Sequence, residues 1–233
     1  MTKKLFYLDP YLKEFYAKVV SIEGSKVTLD QTVFFATAGG QTGDTGEING
    51  MKVVETVYDE NRNIIHIIDG EPNFQVGDRV LGKIDWDRRY HIMRLHSACH
   101  VICGVIRNHF PDAMFTGSNI YPDRARIDFN VEKLDDEIAK MIENESNETA
   151  QRGLPIVAKM ITWDDVERDP SLMRVDRKLY QKYGEPRITE IIGFDKQLDG
   201  GTHVASTKEI GKIKLTGREN KGKNNRRIYI TVE

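Results

Sequence analysis

The feature that most constrains this chain is a pair of histidines four residues apart, His96 and His100. They lie within residues 88–110, a segment that has Gly104 as its only glycine and contains no proline. Apolar residues recur there at spacings of three and four, which predicts an amphipathic helix: Ile92, Leu95, Cys99, Ile102, Cys103 and Ile106. Because residues four apart on a helix share a face, both imidazoles are expected to point the same way.

Two imidazoles one helical turn apart form half of a zinc site. In the metalloprotease motif HExxH, a glutamate follows the first histidine and acts as the base. Here Ser97 occupies that position, which excludes the metalloprotease interpretation. The alternative is that the two histidines merely line a partly buried helix face. A metal site would need further ligands from elsewhere in the chain.

Length and composition indicate an ordinary globular protein. The 233 residues suffice for two domains, and the chain is 39% hydrophobic and 30% charged. No apolar run approaches the roughly 20 residues of a transmembrane helix, and the first residues lack the apolar region of a signal peptide. Cys99 and Cys103 lie on one predicted helix and form no disulfide framework. We therefore expect a cytoplasmic protein with neither a membrane nor a disulfide partner.

The charge is unevenly distributed. The net charge is −2, so the whole chain is not a basic nucleic-acid binder. Residues 208–227, in contrast, hold eight basic residues against two acidic ones. The basic residues are Lys208, Lys212, Lys214, Arg218, Lys221, Lys223, Arg226 and Arg227. Such a stretch suits contact with RNA phosphates, and a solvated lysine-rich hairpin is an equal alternative.

Residues 1–87 predict a small β-barrel. Strands are expected where aromatic and β-branched residues concentrate between turn residues: 14–22, 26–30, 33–36, 51–58, 64–69 and 79–86. Within this region, residues 38–46 read AGGQTGDTG and include four glycines, which permit close backbone approach or positive φ. The segment matches neither a Walker loop nor GxGxxG, so by itself it predicts a glycine-rich hairpin corner.

Residues 88–233 mix helices and strands without a regular βαβ order, which indicates an α+β domain. A helix is expected at residues 134–152, ending at Gly153. Residues 164–183 are expected to be partly helical and broken at Pro170. Extended segments are expected at 114–129, 156–163 and 187–193, and a closing hairpin at 211–218 and 226–232. The predicted domains are therefore 1–87 and 88–233.

A second pair of metal-ligating residues follows the predicted strand at 187–193. Asp199 and His203 are four residues apart, with Gly200 and Gly201 between them. Such a tight bend allows both side chains to reach one metal ion, which with the helical pair would make three imidazoles and one carboxylate. Since Asp-Gly is a common turn pair, Asp199 has a purely structural alternative.

The pairing of a helical HxxxH with a later CxxxH resembles the editing domains of alanyl- and threonyl-tRNA synthetases. Residues 34–46, FFATAGGQTGDTG, resemble the glycine-rich strand and loop of the alanyl system. Residues 187–211, RITEIIGFDKQLDGGTHVASTKEIG, resemble its metal-binding segment. Over nearly its whole length the chain is similar to the larger type of free-standing alanyl-tRNA editing protein. The resemblance implies a small N-terminal β-barrel followed by an α+β editing domain.

One departure from this family concerns the metal. The usual cysteine of its CxxxH motif is Asp199 here. Because thiolate is a softer and usually tighter zinc ligand than carboxylate, we expect one Zn²⁺ held more weakly and with altered metal preference. The expected ligands are His96, His100, Asp199 and His203. The alternative is that Asp199 orients a water or a ligand histidine. Cys99 and Cys103 fall on the apolar stripe and are expected in the core.

The resemblance implies ATP-independent hydrolysis of the ester that joins chiefly serine, and glycine only in second place, to tRNA(Ala). It implies that Gln41 and Thr42 contact the substrate or shape its pocket, with Thr32 and Thr202 as further hydroxyls. The basic residues of 208–227 would hold tRNA phosphates. For the metal we favour a positioning role, because no acid beside the ligands is an obvious general base.

The sequence leaves two other functions open. The first is a tRNA-binding protein that keeps the fold but has lost hydrolysis through Asp199. The second is editing of a threonyl-class substrate, which the alanyl-like loop at 38–46 disfavours. We expect a monomer or homodimer.

Overall fold

The computed structural model describes residues 2–173 and 186–233. The chain divides into two compact units, Met1–Ile92 and Met93–Glu233, here called the barrel unit and the site unit. The boundary falls inside a long helix, α1, which spans Trp86–His109. The helical prediction for residues 164–183 lies partly outside the described residues, since 174–185 are not described.

The barrel unit contains a closed six-stranded barrel with the strand order β2-β3-β7-β6-β5-β8. Two short strands, β1 and β4, pair in parallel beside it. The eight strands are β1 Lys3–Lys4, β2 Glu14–Glu23, β3 Lys26–Leu29, β4 Gln31–Thr32, β5 Gly46–Ile48, β6 Met51–Tyr58, β7 Ile64–Ile68 and β8 Arg79–Ile84. Alternate residues of β2 (Phe15, Ala17 and Val19) point into the core, as the two-residue period of a strand requires. The predicted barrel is confirmed.

The predicted strand at residues 33–36 is wrong. These four residues form a buried loop after β4, in which side chains rather than a neighbouring strand satisfy the backbone. The Phe34 amide donates to Thr32 Oγ1 at 3.0 Å, and the Phe35 amide donates to Asp44 Oδ2 at 2.6 Å. A buried loop is stable only when its polar backbone groups find such partners, and a propensity for strand does not reveal them.

The site unit is α+β, as predicted. A four-stranded antiparallel sheet has the order β14-β15-β10-β9, and a three-stranded one has the order β11-β12-β13. The strands are β9 Phe115–Ile120, β10 Ala125–Phe129, β11 Ile156–Met160, β12 Arg187–Ile191, β13 Asp195–Leu198, β14 Ile213–Asn220 and β15 Arg226–Val232. The helices after α1 are α2 Asp136–Gln151 and α3 Trp163–Arg168. The predicted closing hairpin is confirmed as β14–β15.

Capping explains where the predicted boundaries were misplaced. The strand expected at 156–163 ends at Met160, because Thr162 caps α3 in a reciprocal capping box with Asp165. At the N-terminus of α2, the Asp135 side chain accepts from the Ile138 amide. Gly153 follows the helix with φ of 65°, a left-handed conformation that suits glycine.

Helix α1 is buried on every side from Leu95 to Ile106, so this part is not amphipathic. Cys99 and Cys103 are both buried, which confirms their placement in the core. Gly104 is required by a close contact, because a Cβ there would lie 2.4 Å from the ring of Phe194. Among the described residues, no helix has the length and apolar character needed to cross a membrane.

Candidate metal centre

The four predicted ligands converge within the site unit. One donor atom from each of His96, His100, Asp199 and His203 lies within 4.8 Å of the donors of the other three. Helix α1 supplies the first two, and the turn after β13 supplies Asp199 and His203. The ring centroid of His203 lies 4.3 Å from that of His96 and 4.5 Å from that of His100. Sequence spacing correctly predicted that these side chains share one site.

Asp199 closes its own turn and also faces the histidines. Its Oδ2 accepts a hydrogen bond from the Gly201 amide at 2.9 Å, so the carboxylate closes the turn in which it lies. The same oxygen lies 2.8 Å from His203 Nε2, while Oδ1 lies 3.4 Å from His96 Nε2. The turn thus aims the carboxylate at the imidazoles.

Arg187, which the sequence interpretation did not single out, holds this turn in place. Its Nη1 donates to the main-chain oxygens of Asp199 at 3.3 Å and Gly201 at 2.9 Å. The Asp199 amide in turn donates to the Arg187 carbonyl at 2.9 Å. On the same face of β12, two residues along, the Thr189 hydroxyl lies 3.4 Å from Asp199 Oδ2. Polar residues at alternate positions of a buried strand, Arg187 and Thr189, were the sequence signal that could have placed these two side chains at the site.

Two further side chains orient the histidines. Ser97 Oγ lies 3.2 Å from His203 Nδ1 and accepts the Val204 amide. Gln197 Nε2 lies 3.1 Å from His100 Nδ1 and donates to Asp195 at 2.8 Å. Metal-ligating histidines usually have such a partner on the second ring nitrogen. Ser97, at the position that excluded a metalloprotease, supports a ligand instead.

The protonation states suit metal binding. Burial lowers the pKa of His100 to about 4, against the opposing effect of Asp199. Burial and the neighbouring histidines His96 and His100 hold the pKa of His203 well below its ordinary value. Although burial alone would raise the pKa of Asp199, His96 and His203 keep it well below the usual range. Neutral imidazoles and an ionised carboxylate are the ligating forms, so the donor set fits a divalent ion such as zinc.

The glycine-rich segment of the barrel unit forms a tight turn. Ala38 and Gln41 exchange two backbone hydrogen bonds across Gly39 and Gly40, which have φ of 57° and 87°. Two positive φ values in succession define a type I′ turn, which explains the paired glycines. The Gln41 side chain is buried and Thr42 is half-buried.

The same segment is anchored to the barrel by a buried ion pair. The Arg89 Nε lies 2.9 Å from each oxygen of Asp44, and Arg89 Nη2 donates to the Val33 carbonyl at 2.6 Å. Arg88 Nη1 donates to the Gly43 carbonyl at 2.7 Å. Neither Asp44 nor Arg89 was predicted from the sequence, because no spacing rule links residues 45 apart.

The two threonines expected to supply hydroxyls are both fully buried. Thr32 Oγ1 lies 2.9 Å from His66 Nε2 in the barrel core, so its hydroxyl is used within the fold. That contact does not support the substrate role expected for Thr32. Thr202 lies in the turn of the metal cluster, directly before His203.

The basic residues of 208–227 lie on the short helix Thr207–Ile210 and on the β14–β15 hairpin. Acidic side chains pair with Lys214, Arg218, Lys221 and Arg227; their partners are Glu233, Asp136, Glu219 and Asp128, respectively. Arg226 donates to main-chain carbonyls. Lys208, Lys212 and Lys223 are exposed and have no ion pair within residues 2–173 and 186–233. The local positive charge is therefore smaller than the sequence count suggests.

Two family profiles match the chain. The profile described as "Threonyl and Alanyl tRNA synthetase second additional domain" matches residues 187–229, and "tRNA synthetases class II (A)" matches residues 4–88. The alanyl-tRNA editing protein AlaX-M of Saccharolobus solfataricus is 40% identical over 100% of both chains. AlaX-M of Pyrococcus horikoshii is 33% identical over 100% of this chain and 99% of its own. The alanine–tRNA ligase of Pyrococcus abyssi is 35% identical over 94% of this chain and 24% of the ligase.

The barrel, the α+β unit with its histidine and aspartate cluster, and the profile matches define a protein of the synthetase editing-domain class. The similarity extends over the full length of free-standing relatives, whereas only a quarter of the synthetase is covered. The chain belongs to the AlaX-M family of alanyl-tRNA editing proteins.

Proposed function

We propose that the protein is a trans-editing hydrolase that removes serine, and also glycine, from mischarged tRNA(Ala). The observation that carries the proposal is the convergence of His96, His100, Asp199 and His203 in a chain of the alanyl-tRNA editing family. Serine differs from alanine by one hydroxyl, so a hydrolytic site built to recognise that hydroxyl separates the two esters.

The four side chains would hold one Zn²⁺, despite the carboxylate in place of the family's cysteine. A bound divalent ion supplies Lewis-acid polarisation of a substrate oxygen or a fixed point that orients the ribose and aminoacyl group. The protein's own contribution is rigidity. Ser97 and Gln197 fix the planes of His203 and His100, and Arg187 fixes the turn that carries Asp199.

Recognition of the amino acid is assigned to Gln41, Thr42 and Thr202. A serine hydroxyl needs a polar partner once water is excluded, and the half-buried Thr42 hydroxyl is of the right kind. Contacts with tRNA phosphates are assigned to the basic residues of 208–227. Lys208, Lys212 and Lys223 are the best candidates, because their ammonium groups are exposed.

The decisive experiment measures hydrolysis of seryl- and alanyl-tRNA(Ala), together with the metal content of the same preparation. We expect rapid loss of serine and retention of alanine, abolished by a chelator or by His96→Ala. The matched control is His109→Ala, because His109 lies on the same helix but pairs with Glu145 outside the cluster. Asp199→Cys should retain hydrolysis and hold zinc more tightly.

The alternative is a tRNA-binding protein without hydrolysis, which the unusual Asp199 favours. It predicts that both esters survive at full metal occupancy while tRNA still binds. In that event Asp199→Cys tests whether the carboxylate is the reason, since recovery of hydrolysis would locate the loss at this ligand.

A further inference from the structure

A group of cationic and aromatic side chains in the barrel unit has no part in the site described above. Lys4 Nζ lies 5.4 Å from the ring centroid of Tyr7 and 5.2 Å from that of Tyr58. The Arg62 guanidinium carbon lies 4.4 Å from the Tyr58 centroid. These four half-buried residues are called the cation–tyrosine cluster.

The cluster brings two cations to one tyrosine ring. Within residues 2–173 and 186–233, no carboxylate forms an ion pair with Lys4. Burial, and then the charge of Arg62, lower the pKa of Lys4. Asp59, in the turn that carries Arg62, directs its carboxylate to the amide and side chain of Asn63. The positive charge of Arg62 therefore acts on a lysine that is already partly desolvated.

The backbone fixes this arrangement. Arg62 has φ of 66°, a left-handed conformation that is uncommon outside glycine. The turn is held by hydrogen bonds from the Arg62 amide to the Asp59 carbonyl and from the Asp59 amide to the Asn63 carbonyl. An outlier held this firmly is a reason to look for a function.

The cluster also borders the glycine-rich turn. Tyr7, Tyr58 and Ala38 pack against the same small core of Phe6, Phe35, Ala36 and Ile64. Ala38 is the first residue of the turn that leads to Gln41 and Thr42. A ligand held at the cluster would therefore lie beside the segment assigned to substrate recognition.

We propose that the cation–tyrosine cluster binds a single-stranded segment of RNA, with a phosphate at Lys4 and Arg62 and a base against the tyrosine rings. A polyanion with flat aromatic groups satisfies both halves of the cluster, which a carboxylate or free phosphate does not. The inference rests on the proposed function, because the RNA strand is then part of the tRNA substrate.

The test measures binding of a short fluorescent single-stranded RNA by anisotropy at several salt concentrations. We expect Lys4→Gln to weaken binding several-fold and to reduce the salt slope by about 0.7. Lys3→Gln is the matched control, since Lys3 precedes Lys4 on β1 and is exposed. It removes the same charge and should leave affinity within about twofold. Arg62→Gln provides a second cation variant whose effect should follow that of Lys4→Gln.

The tyrosine variants separate base stacking from simple phosphate attraction. Tyr58→Leu should weaken binding about tenfold, whereas Tyr58→Phe, which keeps the ring, should not. Equal binding by Lys4→Gln and Lys3→Gln would overturn the proposal. Insensitivity to Tyr58→Leu in a folded variant would also overturn it, because the site would then recognise phosphate alone.

Kinetics with seryl-tRNA(Ala) distinguish this inference from the proposed function. Lys4→Gln should raise KM several-fold and leave kcat unchanged, because the cluster holds substrate and does no chemistry. If wild-type protein binds RNA through Lys4 but hydrolyses neither ester, the editing function fails and the binding site stands. If hydrolysis is normal and Lys4→Gln changes neither KM nor RNA affinity, the proposed RNA site is rejected and the editing function stands.

Discussion

Each unit has an aspartate that faces nitrogen-bearing side chains, and the surroundings of the two carboxylates differ. In the barrel unit, Asp44 meets Arg89, whose guanidinium is fully buried and contacts both carboxylate oxygens. In the site unit, Asp199 meets three imidazoles, and its side chain retains 15% exposure. The first carboxylate has a permanent cation from the chain itself. The second faces three imidazoles, and its permanent cation, Arg187, keeps Nη1 4.0 Å from Oδ2, too far for a hydrogen bond.

This difference separates a carboxylate that is neutralised within the fold from one that could bind a further cation. A buried ion pair such as Asp44–Arg89 neutralises itself and needs nothing from outside. A carboxylate that faces three side chains able to bind a metal is stabilised further when a cation binds. Burial of an acid therefore says little about function until the nature of its positive neighbour is known.

The largest expected effect comes from breaking the barrel pair. Arg89→Met leaves Asp44 buried without its cation and removes the hydrogen bond to the Val33 carbonyl. We expect the free energy of unfolding to fall by about 3–5 kcal/mol, measured by urea denaturation. The double variant Asp44→Asn/Arg89→Met should recover part of this loss. A loss below about 1 kcal/mol would show that the pair is not a structural anchor.

The barrel also holds a titratable group that must stay neutral. Burial lowers the pKa of His66 from 6.5 to about 4. Because the unfolded chain then binds the proton more readily, stability is complete above pH 6.5 and falls as the pH drops towards 4. The expected loss is about 3 kcal/mol, read from urea midpoints across this range. His66→Gln should reduce the pH dependence and leave the part that His100 and His203 contribute, and an unchanged profile would contradict the assignment.

The smallest effect on the metal-free protein is expected at Asp199. Asp199→Asn keeps an acceptor oxygen for the Gly201 amide and removes a charge that lies 4.0 Å from Arg187 Nη1, so we expect about 1 kcal/mol of change without metal. With zinc at a hundred times its dissociation constant, wild type should gain about 2.7 kcal/mol and the variant almost nothing. Thermal unfolding with and without zinc measures both. An Asp199→Asn variant that gains as much as wild type would show that Asp199 is not a ligand.

The sequence predicted the proximity of the four side chains because each half of the cluster has a local signal. His96 and His100 are one helical turn apart, and Asp199 and His203 flank two glycines, so spacing alone fixed each half. The resemblance to editing domains then joined the halves. Gln197 was missed because β13 was not predicted, and Ser97 because its role depends on His203, 106 residues away.

The basic stretch shows the opposite case, in which counting along the sequence misled. Arg227 is paired with Asp128, 99 residues earlier, and Arg218 with Asp136 on α2. A count within residues 208–227 cannot include these acids, because tertiary folding brings them to the hairpin. The strand prediction for residues 33–36 was wrong for a similar reason, since Asp44, which binds the Phe35 amide, is not adjacent in sequence.

The absence of a Cβ at Gly104 leaves room for a side chain that neighbours the histidine and aspartate cluster. Phe194 rests where a Cβ would be and immediately precedes β13, the strand that carries Asp195 and Gln197 towards His100. Because a Cβ at position 104 would lie 2.4 Å from this ring, an alanine there would force the Phe194 side chain to move. The surroundings of the cluster therefore include an apolar contact, between Gly104 and Phe194, that substitutions of the four predicted ligands alone would not reveal.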